Sequence, residues 1–484
     1  MNLIRRHPYL TLMGCFGLLA LFLGFELLST LEDVKAYGKI MNGDVSLPPL
    51  PGARAKAKLP KYSLALLKGF TVPADLEIEV NQQVGSAWTE GKRLFPDASE
   101  ATELYEKIAS QTPLAMRFAD HLASHMDSLP TCASLPEMVD YGASTANYRE
   151  IRTTARFSAF LAQYLAQRGK PDQAWVLACG PLLLGYHLEA EESTCAGLPL
   201  ITRMISIVVR KIGTQALFEL APLLEVNRQR ALATIALLQR IEAGMYSIIT
   251  SLDQESKMLP SMAIMLQHAY VHGAAKKMFS SGPSMLTLTL SDPERVKRHL
   301  DPYYDPFRKV DGRPWKDVQP AAASVTKLLE AVMLKTSNPS TEWVLYAFQP
   351  SHLILDFLVG LSTPNMKKAI EQDYTCRQSM RGIGIAYGVA AFHREQGRWP
   401  ATLSEAQQWL QVPFPEDLFT GDPLKYELKA TDSVDLRSPG PDLLFGTSDD
   451  MVFLPFPPAQ KTPLPPGLAE NHHLPGFPRT GRHD

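Results

Sequence analysis

The sequence predicts a mainly α-helical protein: an N-terminal transmembrane helix, an α-helical bundle or irregular helical-hairpin solenoid, and a small α+β module near the C-terminus. Three observations predict it. An uncharged apolar run, Pro8–Phe25, opens the chain. Apolar residues then recur in steps of three and four through the middle of the sequence, which gives a helix one greasy face. Beyond residue 396, Gly, Pro and Asp punctuate short runs with the alternation of strands.

Residues 1–7 read as a short cytoplasmic tail and 8–28 as the membrane helix. The 18 uncharged residues Pro8–Phe25, with Leu27 and Leu28 beyond Glu26, suffice for a hydrocarbon core of roughly 30 Å. Inside lipid the backbone must satisfy its own hydrogen bonds, so the segment is predicted helical. A cleaved signal peptide needs a small-x-small site, and Glu26-Leu-Leu-Ser-Thr-Leu-Glu-Asp offers none. Leu12-Met-Gly-Cys15 has the look of a lipoprotein site, but too little apolar sequence precedes Cys15. The reading is an uncleaved anchor. Arg5 and Arg6 before the span are nearly balanced by Lys35 and Lys39 after it, so charge alone hardly orients it.

Residues 29–95 read as a stalk and Pro-rich linker, with Pro48, Pro49, Pro51 and Pro60 favouring extended chain. Residues 96–363 read as the α-helical body. Tyr148–Arg168 places Ile151, Phe157, Phe160, Leu161, Tyr164 and Leu165 on one face, and Gly169 and Pro171 mark a stop and a new start. Further helices are expected from Ala174 towards Leu188, over Leu198–Phe218 and over Arg228–Ile241. Short breaks between amphipathic helices predict antiparallel hairpins. Phe160–Trp175 resembles one turn of a tetratricopeptide-type repeat, without a steady period. Apolar runs near Ile205, Leu353 and Ile383 are too short for further spans and read as core helices.

The charges, 48 basic and 50 acidic, nearly cancel, which argues against a nucleic-acid partner. Cys132, Cys179, Cys195 and Cys376 lack the CxxC spacing of a zinc site. In an oxidising compartment they form disulfides in a pairing that spacing leaves open; otherwise they are buried thiols.

Residues 364–458 form the last module, ahead of a Pro-rich disordered tail at 459–484. A long helix from Pro364 ends at Gln396–Gly397; a short helix follows in Gly397-Arg-Trp-Pro-Ala-Thr-Leu-Ser-Glu; strands are predicted at Leu424–Leu428, Val434–Ser438 and Met451–Leu454. The order of Phe392, Gly397-Arg398-Trp399-Pro400, then Pro415, Asp417, Gly421, Pro423 and Tyr426, then Ser438, Gly440, Asp442, Gly446, Asp449 and Asp450 resembles the C-terminal region of the type II secretion major pseudopilins, over about 365–455. The resemblance implies an extracytoplasmic head and a calcium loop, with carboxylates from Asp442, Asp449 and Asp450 and further oxygens from Ser448 and loop carbonyls. The plain alternative is a solvated turn whose Asp and Gly residues satisfy local backbone. Where the family has Gly after the first Asp, this chain has Leu443. The N-terminal helix also lacks the glutamate that follows a pilin cleavage site, and the whole body stands between anchor and head. The chain therefore reads as a large anchored protein with a pseudopilin-like head. Its expected place is the bacterial inner membrane, single-pass, with the body in the periplasm. Protein partners are expected in a secretion or pilus-like system.

Catalytic patterns are fragmentary. Ser324-Val-Thr-Lys327 matches the Ser-x-x-Lys of penicillin-binding proteins, in which Lys helps activate Ser. No Ser-Asp-Asn follows, and only Arg479-Thr-Gly481 resembles the third motif. His121 and His125 share a helix face, but Leu122 stands where a zinc protease has its glutamate. His187 and Glu191 have the same spacing and, like the first pair, read as surface or capping groups. The expected function is a non-enzymatic scaffold or partner-binding protein. The alternatives are a periplasmic serine hydrolase using Ser324 and Lys327, and a helical adaptor capped by the C-terminal module.

Overall fold

The computed structural model describes residues 65–67, 72, 76–77, 107–108, 110–130, 148–195, 199–256, 293–337, 366–429 and 433–458. The expected transmembrane helix at 8–28, most of the stalk and the tail at 459–484 lie outside these. The described chain is mostly helical and carries one small antiparallel sheet. Its helices are α1 (Thr112–Met126), α2 (Tyr148–Gln167), α3 (Pro171–Cys195), α4 (Leu200–Leu220), α5 (Arg228–Gly244), α6 (Pro293–Arg308), α7 (Trp315–Ser337), α8 (Met366–Gln396) and α9 (Leu403–Leu410).

The α2–α3 turn forms for the reason the sequence suggests. Gly169 takes φ +67°, a conformation that costs glycine least, and its N–H bonds to Ala166 O at 3.2 Å while Lys170 N–H bonds to Leu165 O at 3.0 Å. Pro171 then opens α3, where its missing N–H is no loss. A second proline, Pro181, lies inside α3 and leaves the carbonyl of Leu177 without its helical donor. The Ser158 hydroxyl of α2 donates to that carbonyl at 2.7 Å. Gly180 lets the helices approach so closely, because a Cβ there would lie 2.6 Å from Ser158 Oγ. Gly213 of α4 allows the same against Leu182, whose Cγ would be 2.7 Å away. α3 is thus the central helix of the body, packed on both α2 and α4.

α8 runs from the body into the C-terminal module, packing on α5 and α4 and then carrying α9 and the sheet. The sheet has the order β1 (Lys425–Lys429), β2 (Ser433–Ser438), β3 (Met451–Leu454). Tyr426 pairs with Leu436 and Leu436 with Leu454, so one face turns to the core; Lys425, Glu427 and Lys429 share the other face with Arg437 and Asp435. One core cluster runs without a break from Phe118, Phe160 and Leu184 of the body through Tyr387 to Leu436 and Phe453 of the sheet. A second gathers Tyr304, Phe307, Trp315, Ile370, Tyr374 and Phe419.

Leu66, Leu67 and Leu76 are buried members of the first cluster. The segment expected to be linker up to residue 95 therefore already reaches the body here, with Ala65–Leu67 packed on α1, because buried leucines are more stable there than in water. Arg228–Ser256 is long and apolar enough to cross a membrane by length and composition, but 44% of its most apolar window is buried within the protein. The helix is also interrupted after Gly244, where Met245 is extended (ψ 138°) and its N–H bonds to the Glu242 carbonyl.

Candidate functional site

The acidic loop between β2 and β3 is built from the inside. Gly440 (φ +68°) lets the backbone pass directly against Asp449, where any Cβ would collide with the Asp449 carbonyl. Asp442 Oδ1 accepts from Leu444 N–H at 2.8 Å, Asp449 Oδ2 from Asp442 N–H at 3.0 Å, and Asp450 Oδ2 from Gly446 N–H at 2.9 Å. The body clamps the same loop: Trp315 Nε1 and Gln319 Nε2 of α7 donate to Pro441 O at 2.8 and 3.2 Å. Trp315 and Lys316 N–H also bond to the carbonyls of Leu418 and Phe419, so the free donors at the start of α7 are satisfied by the module.

Leu443 stands at φ +64°, the left-handed region that suits glycine. This is the position where the resembled family carries glycine. A leucine there costs about 1–2 kcal/mol of backbone strain, which packing of its side chain on the second core cluster offsets. The next two residues point outward: Leu444 is 63% exposed and Phe445 46%, with Lys425 Nζ 4.9 Å from the Phe445 ring. The loop is a fixed mount for two exposed apolar side chains.

The four residues expected to hold calcium are found here. Asp442 and Asp449 are neighbours, joined by the Asp442 N–H that donates to Asp449 Oδ2 at 3.0 Å. Burial pushes Asp449 up, but Thr447 Oγ1 at 2.6 Å and the Asp442 N–H outweigh it and hold the carboxyl below its usual range. Asp450 turns one oxygen to Arg437 Nη1 at 3.5 Å, and its Oδ1 is buried without a partner. Ser448 is exposed. Among the described residues no three His, Cys, Asp or Glu groups are arranged to enclose a metal ion.

The other motif residues have structural work. Asp417 is buried, and its Oδ1 accepts from Phe419 N–H at 2.7 Å, folding the loop whose Gly421 has φ +74°. Tyr426 Oη donates to Pro400 O at 2.6 Å, and Trp399 stacks on His393 at 3.9 Å. Ser324 and Lys327 are both exposed on α7 and make no hydrogen bond with each other. Nucleophilic catalysis needs a base within hydrogen-bond reach of the serine. Cys179 and Cys376 are free and buried, in different core clusters, and burial raises both thiols. Cys132 and the Cys195 side chain lie outside the described residues. The His121–His125 and His187–Glu191 pairs, expected as surface or capping groups, come together between α1 and α3, with His187 buried.

Sequence reasoning missed a charge lattice inside the body. Arg203 and Arg210 on α4, Glu189 on α3 and Asp373 on α8 are essentially fully buried. Arg203 forks between the two acids, donating to Glu189 and, at 2.5 Å, to Asp373. Glu189 also accepts from Arg210 at 2.5 Å and from the Ser206 hydroxyl. Arg377 donates to Asp373 at 3.0 Å and to the Tyr246 carbonyl. Burial pushes both carboxyls up, but Arg203 first, then Arg210 on Glu189 and Arg377 on Asp373, hold them below the usual range. Gly185 makes room, since a Cβ there would sit 2.7 Å from Arg210 Cγ. The signal was present: two arginines seven apart share a face with apolar residues of α4, and a buried face with charges demands acids. No protein-family model, no curated protein and no solved structure matches the chain.

Proposed function

We propose that the protein is a membrane-anchored extracytoplasmic scaffold that holds a protein partner at its C-terminal head, in a secretion or pilus-like assembly. The observation that carries this reading is the loop at 440–450: clamped by α7 and by its own aspartates, it offers Leu444 and Phe445 to solvent. Exposed aromatic and aliphatic side chains on a rigid mount bind at small entropic cost. The pseudopilin-like order of motifs gives the setting, and the run at 8–28 the anchor. Photo-crosslinking in cells, with the probe at 444, at 445 and at the comparably exposed Leu328 of α7, tests it. A discrete adduct at 444 and 445 but not 328, the one at 444 abolished by Phe445→Asp in a chain of unchanged Tm, is the expected result. Equal labelling at all three positions would remove the basis for the head.

Calcium belongs to the same reading. Two neighbouring carboxylates repel unless a proton or cation lies between them, and Asp450 Oδ1 lacks a partner. Calcium is expected to raise the Tm of the full chain in detergent, and Asp449→Asn to remove the rise. A Tm indifferent to calcium would assign the loop to backbone capping alone.

A further inference from the structure

His121 and His125 lie one turn apart on α1, with ring centroids 4.5 Å apart; His187 on α3 lies 6.1 Å from His125, and Glu191 follows one turn later. The hydrogen bonds assign the ring nitrogens. His121 Nε2 is 3.0 Å from the Leu66 carbonyl and His125 Nδ1 is 2.9 Å from the His121 carbonyl. A carbonyl only accepts, so both of these nitrogens carry the proton, and His125 Nε2 keeps its lone pair. His187 Nδ1 faces Glu191 Oε1 at 3.6 Å, while its Nε2 is buried without a partner. A proton on Nδ1, facing the carboxylate, leaves the second lone pair on Nε2. An imidazole whose far N–H is aimed at a carbonyl or carboxylate is the arrangement found behind metal-bound histidine, where the outer acceptor fixes the tautomer and raises ligand basicity.

We propose that His125 and His187 form a bridging seat for a divalent transition-metal ion, the zinc class, pinning α1 to α3 through their Nε2 atoms. Glu191 and the His121 carbonyl are the outer acceptors, and water completes the coordination. The seat is a two-ring bridge, since among the described residues no three His, Cys, Asp or Glu groups surround one point. Imidazole nitrogen selects zinc, nickel and copper over magnesium and calcium, which separates this site from the acidic loop. Entry is from the surface, because His125 is only half-buried while His187 is 5% exposed. The ion would also fasten Leu66 and Leu67 indirectly, through His121 on the same helix.

The test uses the untagged full chain in detergent, with His472→Gln, His473→Gln and His483→Gln in the background so that tail histidines do not contribute. Zinc affinity is read by competition with a chromophoric chelator, and the ligands by nitrogen hyperfine splitting in the copper-substituted protein. One zinc per chain, two nitrogen ligands and no competition from magnesium are expected. His125→Ala, at a half-buried position, and His187→Gln should each abolish tight binding, and Glu191→Gln should weaken it roughly 10–100-fold. Zinc binding equal in His125→Ala and the background chain, or no binding in the background chain, would overturn the proposal. Neither outcome bears on the partner-binding head.

Discussion

Along α8, the half from Met366 to Arg381 is held by charge and the half from Gly382 to Gln396 by shape. In the first, Asp373 and Arg377 join the buried lattice, Tyr374 Oη donates to Arg313 O at 2.6 Å, and Arg381 pairs with Glu242 at 2.6 Å. In the second, Gly382 lies against the Phe453 ring with no room for a Cβ, and Gly388 would place one 2.7 Å from Leu410 and 3.0 Å from Phe414. Phe392 and Trp409 meet edge-on at 5.5 Å. The difference shows how one helix serves two purposes. Apolar packing alone accepts many registers, whereas buried ion pairs accept few, because an unpaired charge in the interior is far costlier than a loose methyl. The body-side half fixes where α8 sits; the head-side half gives the sheet a smooth surface to cover.

Substitutions separate the two modes, and the largest effect is expected on the charged side. Asp373→Ala leaves Arg203 and Arg377 without their shared acid, and should cost about 3–5 kcal/mol in urea unfolding. A loss below about 1 kcal/mol would mean that water reaches the lattice and that the two halves do not differ in kind. Acid should act on the same half. Asp373 and Glu189 have folded values below their unfolded ones, so their contribution is complete above the unfolded range near pH 4 and is lost as pH falls through the lower folded values. Unfolding free energy should therefore drop steeply below about pH 4 in the parent, and less steeply in Asp373→Ala.

On the shape side, Gly382→Ala should cost about 1–3 kcal/mol through crowding of Phe453. The second substitution Phe453→Leu should recover part of this, and additivity of the pair would show that they are not in contact. The smallest effect is expected at the rim of the head. Thr402 caps α9, accepting from Glu405 N–H at 3.3 Å, so Thr402→Ala should cost about 1 kcal/mol by thermal melting. It should leave crosslinking at Phe445 unchanged.

What sequence reveals about this protein follows the range of the interactions. Helix 148–168 is observed as Tyr148–Gln167, and strands 434–438 and 451–454 as Ser433–Ser438 and Met451–Leu454, because 3.6- and 2-residue periods and local Gly and Pro set them. The turn at 417–421 was legible for the same reason, since Asp417 and Gly421 act within a few residues of themselves. The lattice was not. Glu189 and Asp373 are far apart in the chain, and only the fold brings both to Arg203. The histidine pairs were visible as pairs, but no local pattern shows that α1 and α3 face one another. Leu443 lies between these cases: its identity was visible in the sequence, and its positive φ was not.

The continuity of α8 has a mechanical consequence. At 31 residues it is a shaft of roughly 46 Å, given a rise of about 1.5 Å per residue. Its body end is indexed by charges and its head end by glycines, so the two ends share one angular setting. Inserting a single alanine between Arg381 and Gly382 would turn one end by about 100° against the other. Either the ion pairs would mesh or the sheet would seat, but not both. A pull or twist applied at the C-terminal module would meet the body as torque on α8, borne by Asp373 with its two arginines and by the packing of α8 on α4 and α5.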